Sequence, residues 1–189
     1  MLQALLSDRR FHELLLTIDE DLAATTARCR RCGGALHSAA YRRKPRGVPA
    51  GLSPQYGRCA SFCCAVDGCR TRHRAPSLHF LSRRVYLASV MVVISGMRCG
   101  VTPQRLHRLH ELAGVSRHTI SRWLRWWRQI LPETPFWYGL AGTLMPPVAM
   151  AQLPAALLER FAGSPAERLL ALLRWLSPIS VANSLVHAA

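Results

Sequence analysis

One stretch of the chain combines an apolar stripe with a cationic face. The apolar residues recur at intervals of four, three and four, which is the spacing of one helix face: Ile120, Leu124, Trp127 and Leu131. Ser116 is a favourable N-cap for a helix that begins at Arg117, and Gly114 permits the turn before it. The pattern predicts an amphipathic helix that is entered through a tight turn.

Two further helices are predicted upstream. Thr102 followed by Pro103 is a favoured helix start, and the segment to Leu112 turns three apolar residues inward: Leu106, Leu109 and Ala113.

Ser82 can cap a further helix from Arg83 to about Arg98, which Gly100 closes. Its expected buried residues are Val85, Ala88, Met91 and Val92. Three short helices with a tight turn before the last predict a helix-turn-helix.

The two ends of the chain are also predicted to be helical. Phe11–Leu22 reads as an acidic amphipathic helix whose apolar residues are Phe11, Leu14, Leu15 and Ile18. Near the other end, Pro154–Phe161 precedes a second helix that starts at a capping box formed by Ser164 and Glu167 and runs to Trp175 or Leu176. The expected linkers are Ala23–Ala27 and Leu131–Pro147.

The positive charge lies in the middle of the chain. Residues 25–130 hold twenty of the 25 lysines and arginines but only two of the ten acidic residues, and the net charge of the chain is +15. Such a distribution indicates a polyanionic partner, nucleic acid first. The apolar run Ala88–Met97 is shorter than the roughly 18 residues of a membrane span, so no membrane partner is expected.

The cysteines form two close pairs. Cys29 and Cys32 are separated by two residues and followed by two glycines, while Cys64 and Cys69 flank Gly68. No secretory signal is recognised, and cytoplasmic cysteines are more often metal ligands or free thiols than disulfides. The spacing predicts one structural Zn²⁺ with four thiolate ligands: Cys29, Cys32, Cys64 and Cys69.

Three points about this site stay open. Cys63 competes with Cys64 as the third ligand, and His73 is an alternative from outside the pairs. Cys59 and Cys99 are expected to be spare. The long gap between the pairs requires a loop or an extra hairpin; it contains the basic turn 41–47, which either contacts phosphate or is simply solvated.

The order of these parts resembles that in the zinc-ribbon and helix-turn-helix transposases and accessory proteins of bacterial insertion sequences. The resemblance covers roughly residues 27–130 and is carried by the Cys29–Gly34 knuckle, the basic hairpin after it, and the segments Phe62–Cys64 and Gly68–Arg72. It implies DNA binding within transposition. The doubled cysteine and the wider last pair depart from the usual ribbon of these families.

No catalytic centre is expected. Strand transfer by the common mechanism needs three carboxylates around two metal ions, whereas the acids after the helix-turn-helix, Glu133, Glu159 and Glu167, lie in a helical pattern. His107 and His110 lack the spacing of a histidine metal pair and are interpreted as surface or helix-packing residues. The protein is therefore predicted to be non-enzymatic.

The predicted fold is mainly α with a small β zinc ribbon. It comprises an N-terminal helix, the ribbon, the helix-turn-helix and a C-terminal helical segment, at residues 1–26, 27–80, 81–131 and 132–189. Double-stranded DNA is the expected partner, read at base edges by four residues and held at phosphates by two: Arg117, His118, Ser121 and Arg122, then Arg125 and Arg128.

Three functions agree with this reading. The first is a cytoplasmic DNA-binding protein of a bacterial mobile element, either an accessory protein or part of a shortened transposase. The second is a zinc-containing transcriptional regulator, and the third is a module that contacts RNA or an acidic protein. Residues 153–176 are leucine-rich, which predicts self-association, contact with a catalytic transposase, or packing on the trihelical core.

Overall fold

The computed structural model describes residues 2–81, 84–97 and 102–181. Within them the fold is mainly helical, with a small antiparallel β region between the first helix and the others. The α-helices of these residues are α1 Arg9–Ala24, α2 Ala88–Ser95, α3 Pro103–Ala113, α4 Arg117–Arg125, α5 Pro135–Ala141, α6 Ala155–Leu158 and α7 Pro165–Leu176. The strands are β1 Leu36–Ser38, β2 Tyr41–Arg42, β3 Arg58–Cys59, β4 Ser61–Cys64 and β5 Arg72–Arg74.

The β region consists of two antiparallel sheets. Strand β4 is central in a three-stranded sheet of order β1-β4-β5, in which Leu36 pairs with Cys64 and Phe62 with His73. Strands β2 and β3 form a separate pair. They occupy the gap between the two cysteine pairs, where a loop or an extra hairpin is predicted.

Helix α1 extends the predicted N-terminal helix by two residues at each end, and Asp8 caps it. Its buried His12 contacts the Tyr56 hydroxyl at 2.8 Å. One turn before its end, Asp19 accepts hydrogen bonds from the segment that links β5 to α2. The acidic helix therefore packs against the β region and against the start of the helical region.

Helix α2 is shorter than predicted but fully buried. It begins at Ala88, and its eight residues, including Met91 and Val92, are all buried. The predicted burial of Val85 is wrong: its side chain is 49% exposed because the residue precedes α2, where its carbonyl accepts from the Arg46 amide. The predicted cap Ser82 and the expected ends of this helix, Arg83, Arg98 and Gly100, lie outside the described residues.

The predicted linker after α4 contains a helix. Thr134 accepts a hydrogen bond from the Trp137 amide and is followed by Pro135, which is a favoured helix start. Trp137 and Leu131 are buried, so this segment is part of the core and the prediction of a linker is wrong here. None of the described helices has the length and apolar character that crossing a membrane requires.

The leucines of the C-terminal helices pack against other parts of the chain. The predicted capping box of Ser164 and Glu167 is confirmed, whereas α6 is shorter than predicted. Six leucines of these helices are buried in the same core as α2: Leu157, Leu158, Leu169, Leu172, Leu173 and Leu176. Packing on the core, rather than a free apolar surface, therefore explains the leucine-rich segment 153–176.

Truncation of Leu172 tests this interpretation. Leu172→Ala should lower the free energy of unfolding by about 2–5 kcal/mol, since its side chain is fully buried. Leu14, which is 45% exposed, provides the matched control, and Leu14→Ala should cost far less. Urea denaturation measures both. A variant of unchanged stability that has lost self-association would instead assign the leucines to an interface.

Candidate functional site

Four cysteine sulfurs converge at one end of the three-stranded sheet. The sulfurs of Cys29, Cys32, Cys64 and Cys69 all lie within 4.8 Å of one another. The Sγ–Sγ distance is 3.8 Å between Cys29 and Cys69, and 3.5 Å between Cys32 and Cys64. A tetrahedral ion with metal–sulfur bonds of about 2.3 Å separates its sulfurs by about 3.8 Å. The spacing therefore fits a four-thiolate metal site.

The first cysteine pair is carried by a tight turn with two glycines. The Gly33 amide donates to the Cys29 carbonyl at 2.8 Å, and the Cys29 amide donates to the Gly34 carbonyl at 2.9 Å. Gly33 has φ +72°, a conformation that favours glycine. A Cβ on Gly34 would clash with the Val66 side chain and lie 3.3 Å from the Cys32 sulfur. These glycines let the backbone pass under the sulfurs.

The second pair spans the end of β4 and the turn after it. Gly68 (φ +83°) bends this turn, and the Cys69 amide donates to the Val66 carbonyl at 3.1 Å. The Val66 amide points at the Cys64 sulfur at 3.4 Å. Such N–H donors stabilise thiolate ligands, so the turn provides polar support for a metal as well as a ligand.

Strand alternation selects between the two adjacent cysteines. Successive side chains of a strand point to opposite faces, and β4 directs Cys64 into the sulfur cluster, where it is fully buried. Cys63 points to the other face, and its sulfur lies 3.7 Å from the Arg70 carbonyl. The geometry therefore assigns the third ligand position to Cys64, which leaves Cys63 outside the cluster.

Two side chains from the segment after Cys69 support the cluster. His73 is not one of the four converging ligands, but its Nε2 lies 3.1 Å from the Cys29 sulfur. The Thr71 hydroxyl contacts the Cys69 sulfur at 3.3 Å, and hydrogen bonds from the side chain and backbone of Thr71 and from neighbouring cysteines lower the pKa of the Cys69 thiol to about 6. A lowered pKa favours the thiolate that metals bind. Sequence reasoning weighed His73 only as a ligand and missed Thr71.

Of the two expected spare cysteines, only Cys59 lies among the described residues, and it does not join the cluster. Cys59 lies on β3, away from the four sulfurs, and burial raises the pKa of its thiol. Cys99 lies outside the described residues.

The turn before α4 has the predicted local geometry. The Ser116 hydroxyl accepts from the Thr119 amide at 3.2 Å, and Gly114 adopts φ +63°. The Tyr86 hydroxyl donates to the Gly114 carbonyl at 2.8 Å, and the Tyr86 ring packs edge-on against Trp123. The start of α4 is thereby attached to the segment before α2, and α2 itself packs directly on α4.

One face of α4 and of the π-helical turn Trp126–Ile130 that follows it is exposed and cationic. Every predicted DNA-contacting residue is exposed: Arg117, His118, Ser121, Arg122, Arg125 and Arg128. In the part of the chain that the structure describes, no carboxylate pairs with these four arginines. The face therefore presents unneutralised guanidinium groups to solvent.

The opposite face is more apolar than the predicted stripe. Ile120, Trp127 and Leu131 are buried as predicted, and Leu124 is partly buried. Two tryptophans that the stripe did not include are buried as well, because residues distant in sequence cover them: Trp123 and Trp126.

The described structure also contains a cavity of about 370 Å³ between α1 and the β region. Acidic and basic side chains both line it, among them Asp19, Arg43 and Arg58. Asp19 is already bonded to Ser77, Leu78 and His79. None of the predicted site residues lines this cavity.

The chain thus has two candidate sites: a cluster of four thiols that fits a metal ion, and an exposed cationic helix face. Both are built from residues that the sequence singles out. No protein-family model, curated protein or solved structure matches the chain.

Proposed function

We propose that this protein binds double-stranded DNA through α4, which acts as the recognition helix of a helix-turn-helix. The observation that carries the proposal is the exposed face of α4, where arginines have no carboxylate partner among the described residues. Solvated helix faces usually mix both signs of charge. A face with one sign and additional hydrogen-bonding groups suits phosphates and base edges.

The packing of α4 supports this role. Its apolar side lies against α2 and the core, so the whole cationic side is free to enter a major groove about 12 Å wide. In such docking the first turn lies closest to the bases. Arg117, His118 and Ser121 are then the base-reading candidates, and Arg125 and Arg128 lie further along for phosphate contact.

Zinc is the metal that we propose for the four-cysteine site. Four thiolates at tetrahedral spacing with no open ligand position are typical of structural zinc rather than of a catalytic metal. Bound zinc would crosslink the two cysteine turns. Because β1 and β5 contain no buried residue, this crosslink would provide much of the stability of the β region, which we interpret as a zinc ribbon.

The role within the cell is the most specific part of the proposal. The order of ribbon and helix-turn-helix resembles insertion-sequence transposases and their accessory proteins, so we propose that the DNA target is the end of a mobile element. We further propose that the protein does not cut or join DNA itself. A chromosomal operator as the target would favour the transcriptional regulator instead.

Selection from random duplex DNA tests this function. We expect enrichment of one sequence motif, and Arg117→Ala should weaken binding to it by about 1–3 kcal/mol and relax the preference at one base position. Arg128→Ala should weaken binding to all DNA sequences by the same factor. Arg174, an exposed arginine of α7, provides the matched control. Arg174→Ala should change neither the affinity for DNA nor the base preference.

Two results would contradict the proposal. Equal binding to duplex DNA and to single-stranded RNA would favour a different polyanionic partner. Unchanged affinity and base preference in Arg117→Ala, on the best selected site, would exclude the docking of α4. Comparison of the selected motif with the terminal repeats of mobile elements then tests the cellular role.

A further inference from the structure

Arg84 is a half-buried cation that stacks on a tryptophan of the helix containing the cationic face. Its guanidinium carbon lies 4.7 Å from the centre of the Trp126 ring. In the described part of the chain no carboxylate forms a salt bridge with it. Burial, with repulsion from Arg122, lowers the pKa of Arg84 to about 10. A cation that is partly desolvated without an acidic partner is an unusual feature of a protein surface.

The position of the stack brings Arg84 next to a second arginine. Trp126 follows Arg122 by four residues, and residues at this spacing are neighbours on a helix surface. Arg84 therefore lies on the side of α4 that carries the exposed Arg122, close enough for the two positive charges to repel each other. Two guanidinium groups with no acid between them attract an anion to the same place.

The backbone around Arg84 is held in place. Its carbonyl accepts a hydrogen bond from the Arg43 guanidinium at 3.4 Å. Two residues later, Tyr86 forms a parallel bridge with Arg46 and packs its ring against Trp123 of α4. The segment 84–87 is thus fixed between the basic turn 41–47 and α4. A preorganised guanidinium loses less freedom when it binds a ligand.

We propose that Arg84 and Arg122 together form a subsite for one phosphate group of the nucleic-acid backbone, at the side of α4. The inference rests on the proposed DNA-binding function and deepens it. The contact with the Trp126 ring uses none of the N–H donors of the Arg84 guanidinium, and among the described residues these donors form no hydrogen bond, so they are available for phosphate oxygens. In this subsite Arg122 contacts the phosphate backbone of the DNA, whereas the sequence pattern predicts that it contacts a base edge.

The subsite would fix the position of α4 along the duplex. Phosphate contacts carry no sequence information but set the register in which other residues read bases. A phosphate bound between the segment before α2 and the middle of α4 would link the body of the protein to its recognition helix. Arg117 and His118 would then enter the groove at a defined depth.

Two titrations test the subsite. In the first, inorganic pyrophosphate is added to the full chain while NMR records the guanidinium Nε–H signals. We expect the signals of Arg84 and Arg122 to shift together, and the response at Arg122 to be largely lost in Arg84→Gln. In the second, the affinity for duplex DNA is measured against salt concentration, and the slope should fall by about one in Arg122→Gln. Arg174→Gln is the control in both.

The two titrations separate the subsite from the proposed function. Failure to bind DNA, with both arginine signals still responding to pyrophosphate, would overturn the DNA-binding proposal and retain an anion site. DNA binding whose salt slope is the same in Arg122→Gln as in the wild type, without any pyrophosphate response, would overturn the subsite alone. Arg122 is exposed, so its variant keeps the test valid even if Arg84→Gln weakens the fold.

Discussion

Cys29→Ser should remove the bound metal and unfold the β region of this protein. Elemental analysis of the wild-type chain should give about one zinc per molecule, and the variant should retain little or none. The Cys29 sulfur lies 3.8 Å from that of Cys69 within the four-sulfur cluster. Structural zinc sites contribute on the order of 10–16 kcal/mol of apparent binding free energy, which is comparable with the whole stability of a domain.

The composition of the β region explains why this loss should be large. Its strands are two to four residues long, and among them only Ser61 and Cys64 are buried. Such strands bury too little apolar surface to remain folded alone, so a bound metal would take the place of a core. The helical region has a large apolar core of its own, and α7 should stay folded when the metal is lost.

Cys63→Ser is the matched control for this prediction. It alters a thiol one residue from a ligand, but the side chain points to the opposite face of β4 and contacts the Arg70 carbonyl. We expect this variant to keep its zinc and its stability. Stoichiometric zinc in a Cys29→Ser/Cys64→Ser double variant would contradict the assignment of the site.

Asp19→Ala should be a strongly destabilising change on α1. One carboxylate oxygen accepts from the Leu78 amide at 2.6 Å, and the other accepts from the Ser77 hydroxyl at 2.5 Å and faces His79 Nδ1 at 2.6 Å. His79 and Leu78 are buried, so removal of the carboxylate takes away the hydrogen-bond partner of the His79 ring and of the Leu78 amide. We expect the free energy of unfolding to fall by about 3–5 kcal/mol.

Asp21→Ala supplies the comparison for this effect. Asp21 lies two residues further along α1 and is exposed, so its loss should change stability by less than about 0.5 kcal/mol. Asp19→Asn retains one acceptor oxygen and should be intermediate. Urea denaturation of the three variants gives the order. Equal stability of Asp19→Ala and Asp21→Ala would show that the carboxylate does not hold α1 in place.

Local signals were enough to predict the parts of the molecule that depend on neighbouring residues. The caps at Ser116 and Ser164, the turn at Gly114 and the position of α3 and α4 are all decided within a few residues, because capping and helix periodicity act over one or two turns. Three members of the four-cysteine cluster, Cys29, Cys32 and Cys69, followed from the spacing of the cysteine pairs. Mainly helical structure with a small sheet was predictable on the same grounds.

Other features depend on contacts between distant segments. The choice of Cys64 over Cys63 required the register of β4 against its neighbours, since alternation selects a face only after the strands pair. Trp123 and Trp126 are buried because Tyr86 and Arg84 pack on them, which no pattern within α4 indicates.

The leucines of the C-terminal helices likewise combine a feature that the sequence predicts with one that only tertiary contacts decide. Their spacing identified an apolar surface, but only the tertiary structure decided whether that surface faces a partner or the protein's own core. An apolar stripe is the same in either case, because burial depends on which element lies opposite. Sequence therefore determined which residues are apolar, capped or able to bind a metal, while packing decided what each of them contacts.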